Sequence, residues 1–321
     1  MESYLRTFQN CVLATVLVLC MIPAIRLAGQ QTPQQAPEPV QNAPQAPPPT
    51  AAQPPQNPNQ PAPSLKNPGP APPAQPQISP QEQQAFQAIQ KEPDPAKQMQ
   101  QVNDFQKQFP KSALLSDVDF MGGLAAWNKQ DVPTAITYCQ ESLQLQPNNL
   151  RSLILVSGIL PLPQALQGTD DQKQQQLTAA ENDGTHALQL LATLQAPPNV
   201  PPSQFDQAKK TFEAQVHAGL GMAHLQKSVL SPGGTNPAEL SAAEQNYKAA
   251  VAIPQPAPQD YFRLGEVYVR ENKLDDALNA FTQAAQLGQQ KMKELANQMI
   301  EKLKAQKAKA AENPPAAPKN E

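Results

Sequence analysis

Any chemistry in these 321 residues would have to begin from three histidines, three cysteines and a few polar clusters. His217 and His224 stand seven residues apart, which puts them on one face of a helix and makes a shared metal ion worth testing; His186 is the only other histidine. Cys11 and Cys20 lie in an N-terminal apolar run, so Cys139 is the single cysteine of a processed chain, and no intramolecular disulfide can form there. Cys139 reads as a small buried hydrophobe, with a reactive thiol as the alternative. The chain has no GxSxG, phosphate loop, HExxH or paired-cysteine metal motif. The glycines of 231–237 are not followed by a phosphate-loop lysine and read as a turn. No nucleophile has a base partner at a recognisable spacing. The chain is expected to be a non-enzyme, with no cofactor and no metal.

Composition narrows the remaining classes. Net charge is −3, and −4 without the first 29 residues (22 basic minus 26 acidic), so there is no strongly basic face for nucleic acid. Seventeen of the 38 prolines and eleven glutamines fall in 30–79, which has no aromatic residue and only Glu38 and Lys66 charged. Such a segment buries too little apolar area to offset its ordering entropy, and proline biases it to extended polyproline II. It is expected to be a disordered tether over 30–78, with a maximal reach of about 150 Å at ~3.1 Å per residue; a loose linker with no role in reach is the alternative. Before it, Arg6 precedes an apolar run from 11 to 25 that is short for a membrane span and suits a secretory signal. Residues 1–29 are therefore expected to be a signal peptide, or an uncleaved anchor that would be the chain's only membrane contact. Gln30 stands where a lipid-bearing cysteine would be, which argues against lipidation.

The elements that could position a site begin at Ser79. Ser79-Pro80-Gln81-Glu82 reads as N-cap, first-turn proline and capping-box glutamate. Asp94-Pro95, Thr169-Asp170-Asp171, Ser203 with Asp206, and Asn236-Pro237 mark further helix starts. In 258–289, Tyr261, Leu264, Gly265 and Tyr268, then Ala277, Phe281 and Ala284, put apolar faces on two successive helices joined by the polar turn 271–275. Ala243, Tyr247 and Ala250 precede Ala277, Phe281 and Ala284 by 34 residues each. Small residues at Gly265 and Ala277 suit a close helix crossing, beside which Phe281 and Tyr268 fill volume. Ala135, Cys139 and Pro147 hold the corresponding places in 116–149.

This pattern resembles the tetratricopeptide repeat, the helix–turn–helix unit of many solenoid proteins, and implies an all-α α-solenoid. About five units are expected, at 79–112, 116–149, 150–194, 214–257 and 258–291, then a capping helix at 290–311 and a disordered tail at 312–321. His217 and His224 fall on the repeat's aromatic signature sites, where packing is the expected role. The resemblance further implies a concave groove lined by the first helices. Carried over, its positions are Phe120, Leu124 and Trp127; Arg151, Ile154 and Gly158; Gln215, Ala218 and Met222; and Gln259, Phe262, Glu266 and Val269, with Arg263 beside them. Trp127 would be the binding anchor there, or would pack against the neighbouring unit. These mainly apolar sites do not match a carboxylate clamp and suit a partner helix or an extended apolar segment. The expectation is an exported bacterial adaptor of the cell envelope that binds protein partners. A periplasmic holdase for unfolded chains is the alternative.

Overall fold

A computed structural model of the chain describes residues 78–198 and 200–312. The expected signal segment at 1–29, nearly all of the tether at 30–78 and nearly all of the tail at 312–321 lie outside the described residues. Among the described residues there are eleven α-helices, one 3₁₀ turn and no strand. The helices are α1 (Pro80–Lys91), α2 (Pro95–Gln108), α3 (Leu115–Asn128), α4 (Val132–Leu145), α5 (Leu150–Ile159) and α6 (Asp170–Thr193). They continue as α7 (Pro202–Leu230), α8 (Pro237–Ala250), α9 (Pro258–Arg270), α10 (Leu274–Leu287) and α11 (Gln290–Glu312). None of them is long and apolar enough to cross a membrane.

Local chemistry sets most of the starts. The Ser79 hydroxyl accepts from the Glu82 amide at 3.2 Å while the Glu82 carboxylate accepts from the Ser79 amide at 2.6 Å, so two orphan donors of α1 are satisfied reciprocally. Thr169 and Gln172 form the same box on α6. Asp94 and Asn236 cap α2 and α8 through their side-chain oxygens. The expected cap at Ser203 is not used: α7 starts at Pro202, with Pro201 in the cap position and no side-chain cap bond. Proline at the first helical position has its φ preset and lacks the amide that a cap would satisfy, so the helix begins one residue before Ser203.

Each helix packs against its successor, and α3, α5, α7, α9 and α11 each touch the first helix of the preceding pair. That alternation is the contact pattern of a solenoid built from helical hairpins. Two hairpin turns share one geometry. The amide of Asp131 donates to the carbonyl of Ala126 at 2.9 Å, and the amide of Lys273 donates to that of Tyr268 at 2.8 Å. Gln130 and Asn272, the residues just before these amides, both take positive φ, at 64° and 59°. This is the left-handed stop that closes a helix through a six-to-one bond.

The hairpins close on small residues. A Cβ at Gly265 would stand 2.8 Å from the Phe281 ring, one at Gly221 would stand 2.9 Å from the Tyr247 ring, and one at Gly123 would stand 2.9 Å from the Cys139 sulfur. Gly123 and Gly265 precede their partners by the same sixteen residues, whereas Gly221 and Tyr247 are separated further by the inserted 3₁₀ turn Pro232–Gly234. Three core clusters run along the stack: one from α1 to α7, one joining α5, α6 and α7, and one from α7 to α11.

A buried polar node joins the second hairpin to the third. The Asn149 amide donates to the Ser116 hydroxyl at 2.9 Å and to the Ser142 hydroxyl at 3.1 Å, and Ser152 donates to Ser142 at 2.7 Å. Asn149 also caps α5 by accepting from the Ser152 amide. Asn149→Ala should therefore cost about 2–3 kcal/mol, since it removes a cap and the two buried hydrogen bonds to the Ser116 and Ser142 hydroxyls. Asn236→Ala, which removes only a cap, should cost about 1 kcal/mol. Urea titration of the two variants checks the difference.

Candidate functional site

The residues placed in the groove by sequence do not form one open surface. Phe120, Leu124 and Trp127 belong to the first core cluster, and Trp127 is 1% exposed. This corrects the expectation of an aromatic anchor facing a partner. The reason is that α3 touches α1, α2, α4 and α5, and Leu160, Leu162 and Ala165 of the insertion after α5 join the same cluster. A signal was present in the sequence: 115–128 reads LSDVDFMGGLAAWN, with no polar stripe along its helix.

The other positions are partly exposed and mixed in chemistry. Arg151 pairs with Asp117 on α3, and its guanidinium carbon lies 4.8 Å from the centroid of the Phe120 ring. Arg263 pairs with Glu266 one turn on at 2.6 Å. Both arginines thus face carboxylates of the chain itself, which is unlike a clamp held ready for a partner's carboxylate. Phe262 meets Phe281 edge-on at 5.1 Å between centroids. Ile154 and Val269 are half-buried against the second and third clusters. Gln259 and Met222 are buried. Gly158 lies at a close approach of α5 to α7: a Cβ at Gly219 would stand 3.2 Å from the Gly158 Cα. Arg151, Ile154, Gly158, Gln215, Ala218, Phe262, Arg263, Glu266 and Val269 are therefore the partly exposed remainder of the expected site.

The signature residues are structural. Tyr247, Phe281, Ala135, Ala243, Ala250, Ala277 and Ala284 are fully buried or nearly so; Leu264 and Tyr268 are buried and Tyr261 half-buried. Pro147 sits at the exposed turn between α4 and α5. Cys139 is fully buried, and that burial, helped by the negative charge of Asp183, pushes its thiol far above the ordinary cysteine range. A thiol so placed is a packing group.

The two histidines part company. The Nδ1 of His217 lies 2.9 Å from the side-chain oxygen of Asn246. His224 instead meets Glu181 of α6 and Glu239 of α8. Burial alone would lower its proton affinity, but hydrogen bonds and attraction from the two carboxylates outweigh it and hold His224 above the usual histidine value. Burial would raise Glu181 in turn, yet His224 and Lys227 hold it below the usual carboxylate value. Sequence spacing pointed to the wrong partner for His224 because Glu181 and Glu239 lie in different helices, many residues away.

No family model and no curated protein matches the chain. Among solved structures, it is similar to a thermophilic TPR protein of Thermus thermophilus at 14% identity and a TM-score of 0.45, over 68% of this chain and 97% of that one. It is similar to MamA from Desulfovibrio magneticus at 15% identity and a TM-score of 0.40, over 66% of this chain and 97% of that one. It is also similar to an assembly chaperone of RpL4 at 10% identity and a TM-score of 0.43, over 64% of this chain and 75% of that one. Likeness at this level says nothing of what is bound. On their own helix order, hairpin closures and 34-residue register, the described residues form an all-α solenoid of helical hairpins, the architecture implied by the resemblance to the tetratricopeptide repeat.

Proposed function

We infer that the chain is a non-catalytic protein-interaction scaffold, and that it works as an exported adaptor of the bacterial cell envelope. The observation that carries the scaffold reading is the succession of first helices, α5, α7 and α9, each in contact with the next. Along it, Ile154, Phe262 and Val269 keep part of their apolar surface beside the Arg151–Asp117 and Arg263–Glu266 pairs. A surface of that mixture suits a short helical or extended segment that offers a few apolar side chains and polar edges. The N-terminal apolar run and the proline–glutamine segment support the export reading, since together they describe a signal followed by a spacer.

The test uses the protein captured on a resin with envelope extract, beside an Ile154→Glu, Val269→Glu double variant. One saturable partner that binds the purified protein and loses at least tenfold in affinity with the double variant is the expected outcome. Binding of many unrelated unfolded proteins, equally by both forms, would replace the adaptor with a holdase. One partner bound equally by both would move the site elsewhere on the solenoid.

A further inference from the structure

Away from that face, three helices bring ligating side chains to one point. The Nδ1 of His224, on α7, lies 3.0 Å from an oxygen of Glu181, on α6, and 2.7 Å from an oxygen of Glu239, on α8. All three donor atoms lie within 4.8 Å of one another. The side chains keep 21%, 21% and 26% of their surface exposed, so the point is sheltered yet open on one side.

Two features of this arrangement go beyond an ordinary ion pair. First, Nδ1 carries at most one hydrogen, so it can donate well to one carboxylate only, yet two carboxylate oxygens converge on it. Second, adjacent ligands of a cation bound at ~2.0–2.2 Å stand about 2.8–3.6 Å apart, and the 3.0 Å and 2.7 Å separations here lie in or just below that range. The two oxygens of Glu181 are also divided. One faces His224, and the other is held by Lys227, one turn along α7 from His224. A carboxylate fixed through its outer oxygen is how metal ligands are commonly oriented.

We propose that Glu181, His224 and Glu239 form a binding site for a divalent cation of the zinc class, with water completing the coordination on the exposed side. One imidazole and two carboxylates suit zinc, and magnesium would demand more oxygen ligands. With His224 neutral the three ligands carry two negative charges, which one divalent ion neutralises. The ion takes Nδ1 of a neutral imidazole, whose hydrogen then stands on Nε2, so binding weakens in acid. The ion ties the third hairpin to the fourth, because α6 belongs to one and α7 and α8 to the other. This site is independent of the partner-binding face, and either reading survives loss of the other.

The experiment is a calorimetric titration of the full chain, stripped with chelator, with zinc chloride at pH 7.5 and in parallel with magnesium chloride. One equivalent of zinc should saturate and should raise Tm. His224→Gln and Glu239→Gln should each weaken zinc by at least tenfold, and His217→Gln should leave it unchanged. Absence of saturable zinc binding overturns the proposal. Zinc affinity in His224→Gln and Glu239→Gln equal to the parent's overturns it too, and magnesium binding as tight as zinc removes the zinc-class assignment. Should His224→Gln fail to fold by circular dichroism, Glu239→Gln decides alone, since its amide keeps the shape of the carboxylate it replaces.

Discussion

Gly219→Ala should destabilise the solenoid by about 2–4 kcal/mol, although alanine is the better helix former by roughly 1 kcal/mol. The added Cβ would stand 2.9 Å from the carbonyl oxygen of Ser157 and 3.2 Å from the Cα of Gly158. Both are backbone atoms of α5, so no side-chain rotation relieves the contact, and α5 and α7 would have to move apart. The second core cluster straddles that gap, with Leu153 on one side and Phe212, Val216 and Leu220 on the other, and separation would loosen it. Gly265→Ala is the informative comparison. The three atoms nearest its Cβ would all belong to the Phe281 ring, at 2.8–3.0 Å, so the nearest obstacle is a side chain. Its cost should be smaller, and a Gly265→Ala, Phe281→Leu double variant should recover part of it, because the smaller side chain leaves room for the methyl. Chemical denaturation reads both. A Gly219→Ala variant as stable as the parent would mean that α5 and α7 are not held at this distance in solution.

That pair of glycines also marks what sequence could and could not show. Gly265 stood inside a legible pattern, because its partner Phe281 lies sixteen residues on and the same spacing recurs in Gly123 and Cys139. Contacts inside one hairpin leave a fixed period, and the helices and their turns followed from it, while the caps were read from their own residues and failed at Ser203. Gly219 meets Ser157 across two hairpins and a proline-broken insertion, a separation that has no period. Glu181, His224 and Glu239 were hidden for the same reason. Trp127 illustrates a different failure. A helical register says which residues share a face, and Phe120, Leu124 and Trp127 do share one, but it does not say what covers that face. The core cluster that holds them includes Leu160, Leu162 and Ala165 from an insertion that the repeat pattern does not contain. Regular units were therefore readable from sequence, and the places where units are joined or covered were not.

Asp119→Asn should make the protein more stable at pH 8 and leave it nearly unchanged at pH 4. Asp119 sits on α3 at 2% exposure, where its carboxylate accepts from the Gln106 amide at 2.8 Å. Burial dominates and pushes its pKa up to about 6; the Gln106 hydrogen bond works against this, and repulsion from Glu141 adds to it. The folded chain thus holds a proton on Asp119 at pH values where the unfolded chain, with an ordinary aspartate near ~4, has released it. In the window between about 4 and 6 the native state binds more protons than the unfolded state, so stability falls as pH rises. At about 1.4 kcal/mol for each tenfold difference in proton affinity, the loss reaches roughly 3 kcal/mol above pH 7. Asparagine has no charge to desolvate and keeps an oxygen for Gln106, so the variant should lack this part of the slope and gain about 1–3 kcal/mol at pH 8. Parallel urea titrations of parent and variant at pH 4, 6 and 8 measure the slope directly. If the two lines stayed parallel, the carboxylate of Asp119 would be ionised in the folded chain throughout, and α3 would be wetter at that point than its packing shows.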